Sequence, residues 1–220
     1  MKYDLHHDDI NKDLLDHFLQ RGVIAVDTET TGLNMFRDDV CTIQLSDGIG
    51  KNVIVKINSN WIPEKTKKLL ENKHALKIFH HAPFDVSMLY QSLGIDTRNF
   101  HCLKVMSKIV RTYTGRHQIT DLSEELLGSK IDKEFRQSCW FVEKLSTAQE
   151  KYAVRDTVDI IDIYKKLDEL IELRGRLRSG FTCKEVHARA QTVVQNIIPL
   201  LVSGYGSHDS NWDIGWIFKY

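Results

Sequence analysis

The 220-residue chain carries 30 basic and 30 acidic residues, so its formal net charge is zero, with 42% hydrophobic and 27% charged residues. Zero net charge excludes a broadly basic duplex binder, which needs an extended cationic face, but leaves room for a small anionic ligand held by local cations. No run of about 18 apolar residues suggests a membrane span, and the opening MKYDLHHDDINKDLL is too polar for a signal peptide. Four scattered cysteines without a C-x-x-C pair argue against a thiolate zinc site and point to a reduced, cytoplasmic setting.

Residues 9–20 predict an amphipathic helix, with Ile10, Leu14, Leu15 and Phe18 at helical spacing, Asp9 as its cap and Gly22 as its stop. The apolar run VIAVDTE (23–29) ends in acids. VCTIQLSD (40–47) alternates as a strand does, and KNVIVKI (51–57) follows a turn signal at 47–50. These three short runs predict an antiparallel meander. A charged helix is expected over 63–72, a buried strand at LKIFH (76–80), and a helix over 83–92 that takes Pro83 in its first turn. Helices follow at 103–111 and 119–127, and then over a long segment, 146–173, opened by the capping box of Ser146 and Gln149. Gly175 and Gly180 mark a break before a last helix over 182–201. Strands first with helices interleaved and later give an α/β sheet flanked by helices. The expected organisation is one domain, 1–220, with a helical C-terminal segment from about residue 182 to 220.

Acidic residues supply the chemistry. Asp27 and Glu29, at i and i+2 of a strand, share a face at the end of a buried run. Two acids there repel each other unless a cation lies between them. Asp85 falls in the first turn of the 83–92 helix, where capping alone would explain it. Tyr152 and Asp156, at i and i+4, share one helix face, as an ordinary hydrogen-bonded pair would. Together these give four hard oxygen donors from three separated elements, a set suited to Mg²⁺ or Mn²⁺. Two such ions about 3.5–4 Å apart clamp a phosphodiester. The tyrosine hydroxyl would orient the attacking water or help take its proton.

Residues 101–120 hold Lys104, Lys108, Arg111 and Arg116 and no acid. The first three fall on one helical stripe, which reads either as a phosphate-binding surface or as a solvated face paired with acids elsewhere. His117 stands beside Arg116 as a substrate contact. His80, at a strand end, is either a substrate contact or a simple hydrogen-bonding partner.

The order Asp-x-Glu, Asp, Tyr-x-x-x-Asp resembles the DEDDy 3′–5′ exonucleases, whose first motif V-D-T-E-T-x-G-L is read here from Val26 to Leu33. The stretches Ser138-Cys139-Trp140 and Leu145-Ser146-x-x-Gln149-x-x-Tyr152-Ala153-x-x-Asp156 are similar to the S-D-W and L-S-x-x-Q-x-x-Y-A-x-x-D of the RNase D branch. Within that branch the diribonucleotide-degrading nanoRNase C enzymes look nearest, through Cys41–Ser46, Ile78–His80 and Arg111–His117. The similarity covers roughly residues 20–205. It departs at Cys139, where the family usually has Asp, and at His81-Ala82-Pro83, where relatives carry a glycine and a basic residue.

The resemblance implies an RNase H-like fold with a mixed central sheet, and two divalent ions, Mg²⁺ or Mn²⁺, held by Asp27, Glu29, Asp85 and Asp156. It makes Tyr152 the water-positioning group and Leu33 a wedge between two bases. Thr28, Thr30, His80, Lys108, Arg111, Arg116 and His117 would line the substrate. It also implies a ring-shaped homo-oligomer, such as an octamer, acting on short single-stranded RNA or DNA. The expected activity is metal-dependent 3′–5′ hydrolysis of dinucleotides to nucleoside 5′-monophosphates. One alternative is a general RNase D-like exonuclease on longer strands, although 220 residues leave no room for the extra RNA-binding domains such enzymes carry. The other is an inactive exonuclease fold serving as a binding module, although no ligand position is missing. The aromatic tail (Tyr205, Trp212, Trp216, Phe218, Tyr220) suits a subunit contact or covers the chain's own core.

Overall fold

The computed structural model describes residues 2–58, 61–130, 138–177 and 179–204, so the aromatic tail lies outside the described residues. The expected meander forms: β2 (Val23–Thr30), β3 (Val40–Ser46) and β4 (Asn52–Lys56) pair antiparallel, with Val26 opposite Leu45 and Ile43 opposite Val55. β5 (Leu76–Phe79) runs parallel to β2, β6 (Phe100–Cys102) parallel to β5, and β1 (Asp4–His7) parallel to β4. The strand order is β1-β4-β3-β2-β5-β6, which makes the sheet mixed and puts β2 near its centre. Neither β1 nor β6 follows from the sequence pattern. The first is a polar edge strand, and the second, three residues long, is too short to show a period.

Because strand side chains alternate, β2 feeds two cores. Ile24 and Val26 join Ile43 and Leu45 under α1 (Lys12–Arg21), α2 (Glu64–Leu70), α3 (Ala82–Leu93) and α8 (Cys183–Val202). Ala25 and Ile78 face the opposite way, against α5 (Ile119–Leu127) and α7 (Ile160–Arg174). Next to them, Cys41 and Ile54 pack on α6 (Thr147–Val158), and α4 (Leu103–Val110), which follows β6, packs against α7 and α8. Asp27 and Glu29 continue the Ala25 face, so they emerge beneath α6. Among the described residues no helix is long and apolar enough to cross a membrane.

Two local expectations change. Asp9 does not cap α1: Asn11 does, accepting from Leu14 N at 2.9 Å. Asp9 instead accepts from the backbone N–H groups of Lys65 (2.8 Å) and Thr66 (2.9 Å), capping α2, whose own N-cap position is Pro63 and has no acceptor side chain. The long 146–173 segment is two helices broken at Asp159. That carboxylate takes a two-pronged bond from Arg155 (2.7 and 2.8 Å) and a hydroxyl from Ser123 of α5.

Candidate active site

The last residues of β2 present their acids toward α6. Ser146 and Gln149 form the expected capping box at the start of that helix. The Gln149 amide also donates to the Cys139 carbonyl at 2.8 Å, which seats the 138–140 segment. Trp140 is thereby buried, with its ring 6.2 Å from that of Tyr152. From this fixed helix Asp156 joins Asp27 and Glu29: one carboxylate oxygen from each lies within 4.8 Å of the others, a grouping able to hold a metal ion. A register slip between Glu29 and Thr30, which leaves Cys41 as an extra residue on β3, ends the regular ladder at this point.

Asp85 enters from the other layer. Near the start of α3 it is almost fully buried, and it accepts the Thr28 hydroxyl at 2.7 Å. Burial raises the Asp85 carboxyl to about 7, against the pull of that hydrogen bond. Asp27 stands well above the ordinary carboxylate range, first through burial and then through the charges of Asp85, Glu29 and Asp156. Without a cation the four acids therefore oppose one another's ionisation. Their all-oxygen donor set fits a hard divalent ion, and the repulsion supplies the reason to bind one. The Tyr152 hydroxyl donates to Asp156, and its pKa is raised by burial first and then by Asp156 and Glu29, so it is a neutral phenol at physiological pH.

These side chains floor a cleft of about 400 Å³ walled by Leu33, His80, His81, Phe84, Gln118, Ile119 and Thr120. Leu33 is 83% exposed. It follows Gly32, where a Cβ would stand 2.3 Å from the Asp38 carboxylate, so any larger residue requires that side chain to shift. Asp38 also accepts from Asn34 N at 2.8 Å, which pins the loop presenting Leu33. Thr30 turns its hydroxyl to the Gly32 carbonyl at 2.6 Å, and Thr28 is engaged with Asp85. His80 Nε2–H donates to the His117 carbonyl at 2.9 Å.

Of the two readings of the cationic stripe, pairing with acids elsewhere is the one seen for Arg111 and Arg116. Arg111 is fully buried: Nε and Nη2 grip Glu125, and Nη1 donates to Ser107 Oγ and the Arg116 carbonyl. With its donors committed inside the protein, Arg111 is no surface contact for a phosphate. Arg116 is exposed and paired with Asp121 and Glu124 of α5, while Lys108 and His117 are half-buried. The 101–120 segment contains no acid, yet α5, which begins at its end, supplies Asp121, Glu124 and Glu125 as counter-charges. Sequence reasoning passes over Gln118, Ile119 and Thr120 as cleft wall. Their signal is the Gln118–Asp121 capping box, which sets the start of α5 beside the cleft.

The 3′–5′ exonuclease domain family matches residues 6–172. Ribonuclease D of Nitrobacter hamburgensis is 27% identical over 155 residues, covering 70% of this chain and 40% of that protein. The DNA polymerase I of Aquifex aeolicus is 27% identical over 148 residues, covering 67% of this chain and 24% of that one. The chain thus spans about 40% or less of the length of these two relatives. Among solved structures, Brucella melitensis NrnC superposes with a TM-score of 0.83 at 31% identity, covering 97% of this chain and 100% of that one. That protein has also been solved with bound Mg²⁺ and bound to pGG. Escherichia coli RNase D (TM-score 0.68, 20% identity, 89% of this chain and 51% of that one) shares the fold.

Proposed function

The chain belongs to the 3′–5′ exonuclease domain family, in its RNase D and NrnC-like part, and on that premise we propose that it hydrolyses very short RNA from the 3′ end. The observation that carries this reading is the grouping of Asp27, Glu29 and Asp156 with buried Asp85 at the floor of one cleft. In it, Asp27, Glu29, Asp85 and Asp156 hold two divalent ions, Mg²⁺ or Mn²⁺. When bound, these supply Lewis acidity to the scissile phosphate and lower the pKa of the attacking water.

The chain's own groups do the rest. Tyr152 donates a hydrogen bond to Asp156, which holds its hydroxyl at the carboxylate group. Its hydroxyl would orient the attacking water or help take its proton. Attack at phosphorus breaks the P–O3′ bond and releases a nucleoside 5′-monophosphate, leaving a 3′-hydroxyl on the remaining nucleotide. Leu33, exposed on a pinned loop at the cleft wall, separates the two bases. Thr28 and Thr30 keep β2 and its following turn in place. His80, on the cleft wall, would meet the phosphate end, with Lys108, Arg116 and His117 reaching it from outside that wall.

Dinucleotides are the favoured substrate class in this reading. The support is the likeness, over almost the whole of both chains, to the NrnC structure that holds pGG, together with the modest cleft volume. Self-association into a ring belongs to the same proposal, supported by exposed Tyr90, Val193 and Leu200 on α3 and α8, and sizing in solution tests it. The cytoplasm is the compartment that this substrate and four free cysteines imply. The test is hydrolysis of a 5′-labelled diribonucleotide in Mg²⁺ by wild type and by Tyr152→Phe. Turnover in the variant should fall roughly 10²–10⁴-fold, the range for loss of a proton-handling or water-orienting group. Unchanged turnover would return Tyr152 to a packing role.

A further inference from the structure

Arg111 lies at the centre of a directed network. Its guanidinium sits on the Glu125 carboxylate (Nε to Oε1, 3.1 Å), and the Tyr113 hydroxyl donates to the same carboxylate. Nη1 reaches the Arg116 carbonyl at 2.6 Å and Ser107 Oγ at 2.9 Å. On the other side of that hydroxyl, 2.8 Å away, is Nδ1 of His117. The residues after His117 are the cleft wall, Gln118 to Thr120, and the His117 carbonyl is held by His80.

We propose that Arg111 is a positioning residue: anchored on Glu125, it fixes through the Ser107 hydroxyl the ring of His117 as the Nε2–H tautomer and seats the wall that follows. A guanidinium only donates, so Ser107 Oγ is an acceptor toward Arg111. Ser107 is fully buried, and among the described residues Nδ1 is the acceptor within reach of its own O–H, so the hydroxyl is satisfied when it donates there. That leaves the ring proton on Nε2. Burial first, then the charges of Arg111 and Lys108 with a smaller contribution from Lys104, holds His117 below its ordinary value, against the opposing pull of the Thr114 carbonyl. The ring is therefore neutral near pH 7.5 and keeps a single N–H. Lysine at position 111 would supply the charge but not the fork, and could not serve Glu125, Ser107 and the Arg116 carbonyl together.

The kinetic effect presupposes the nuclease reading of the cleft, whereas the tautomer does not, so the two fail separately. The test is ¹⁵N NMR of the ring-labelled full chain at pH 7.5, with His117→Gln to assign the signals, alongside kinetics on a 5′-phosphorylated dinucleotide in Mg²⁺. Wild-type His117 should show an unprotonated Nδ1 and a protonated Nε2. Ser107→Ala and Arg111→Lys should both give mixed tautomers. Both should raise KM about tenfold with kcat held within about threefold, the scale of one lost hydrogen bond in binding. Ser107→Ala removes a single oxygen and keeps the test open should Arg111→Lys fail to fold. A wild-type ring protonated on Nδ1, or folded variants with unchanged tautomer and KM, would overturn the proposal.

Discussion

The Thr28 hydroxyl donates to the Asp85 carboxylate across 2.7 Å, joining the central strand β2 to the start of α3 inside the protein. This bond places the one candidate metal ligand that does not come from β2 or α6. It also pulls the Asp85 pKa down against burial, which has raised it to about 7.

Thr28→Val keeps the shape and removes the donor. A buried carboxylate deprived of a hydrogen bond costs about 1–3 kcal/mol, and more when charged. We expect lower stability in denaturant melts and a higher Mg²⁺ concentration for half-maximal activity, because Asp85 then ionises less readily. A variant with wild-type Mg²⁺ dependence would show the bond to be irrelevant to the site.

Asp27 is crowded by Asp85, Glu29 and Asp156. Asp27→Asn should therefore make the metal-free protein more stable while abolishing activity. A relief of about 1 kcal/mol corresponds to roughly 2–4 °C in Tm for a chain of this size. Added Mg²⁺ should raise the Tm of wild type but not of the variant. Calorimetry with and without EDTA reads both effects, and equal Mg²⁺ stabilisation of the two proteins would contradict the ligand assignment.

Burial, and then the neighbouring His101, pushes His187 from 6.5 down to about 4. The folded pKa lies below the unfolded one, so the unfolded chain takes up the proton first as pH falls. The stability tied to neutral His187 is complete above pH 6.5 and is lost as pH drops toward 4. Its Nε2 sits 3.0 Å from Gln191 Nε2, as acceptor from the amide whose oxygen holds Cys102 N on β6. His187→Phe should thus flatten the fall of Tm between pH 6.5 and 4 in Mg²⁺-saturated protein. A slope identical to wild type would remove His187 from the acid response.

Gly32→Ala should push the Asp38 carboxylate aside and weaken its bond to Asn34 N, loosening the loop that carries Leu33. Leu33→Ala, on a residue 83% exposed, should leave Tm unchanged. Both variants should raise KM for a dinucleotide more than they lower kcat, which steady-state kinetics separates.

The sequence shows the parts of the fold that rest on local chemistry: the meander of β2 to β4, the α6 capping box, and Gly22, whose left-handed conformation (φ 71°) ends α1. It hides what depends on a distant partner. Asp9 reads as the cap of the helix beside it, but its partners are the backbone amides of residues 65 and 66. Arg111 reads as surface charge because Glu125, its counter-ion, lies fourteen residues on, beyond the acid-free stretch. Similarly, the break at Asp159 depends on Ser123 and Arg155 meeting there, with no proline or glycine to announce it. Strand and helix periods alone pair Asp27 with Glu29 and Tyr152 with Asp156, and the family resemblance is what joined these pairs and Asp85 into one set. That Asp85 joins them from the opposite layer needs the fold.

The most direct test of the account is a length series: 5′-phosphorylated RNAs of two to seven nucleotides, turned over in Mg²⁺ by the full chain and competed against one another. The account predicts the fastest turnover and tightest competition at two nucleotides, a fall with each added residue, nucleoside 5′-monophosphate as product, and no turnover by Asp27→Asn. A heptamer bound as tightly and degraded as fast as the dinucleotide would contradict it and point to a general exonuclease.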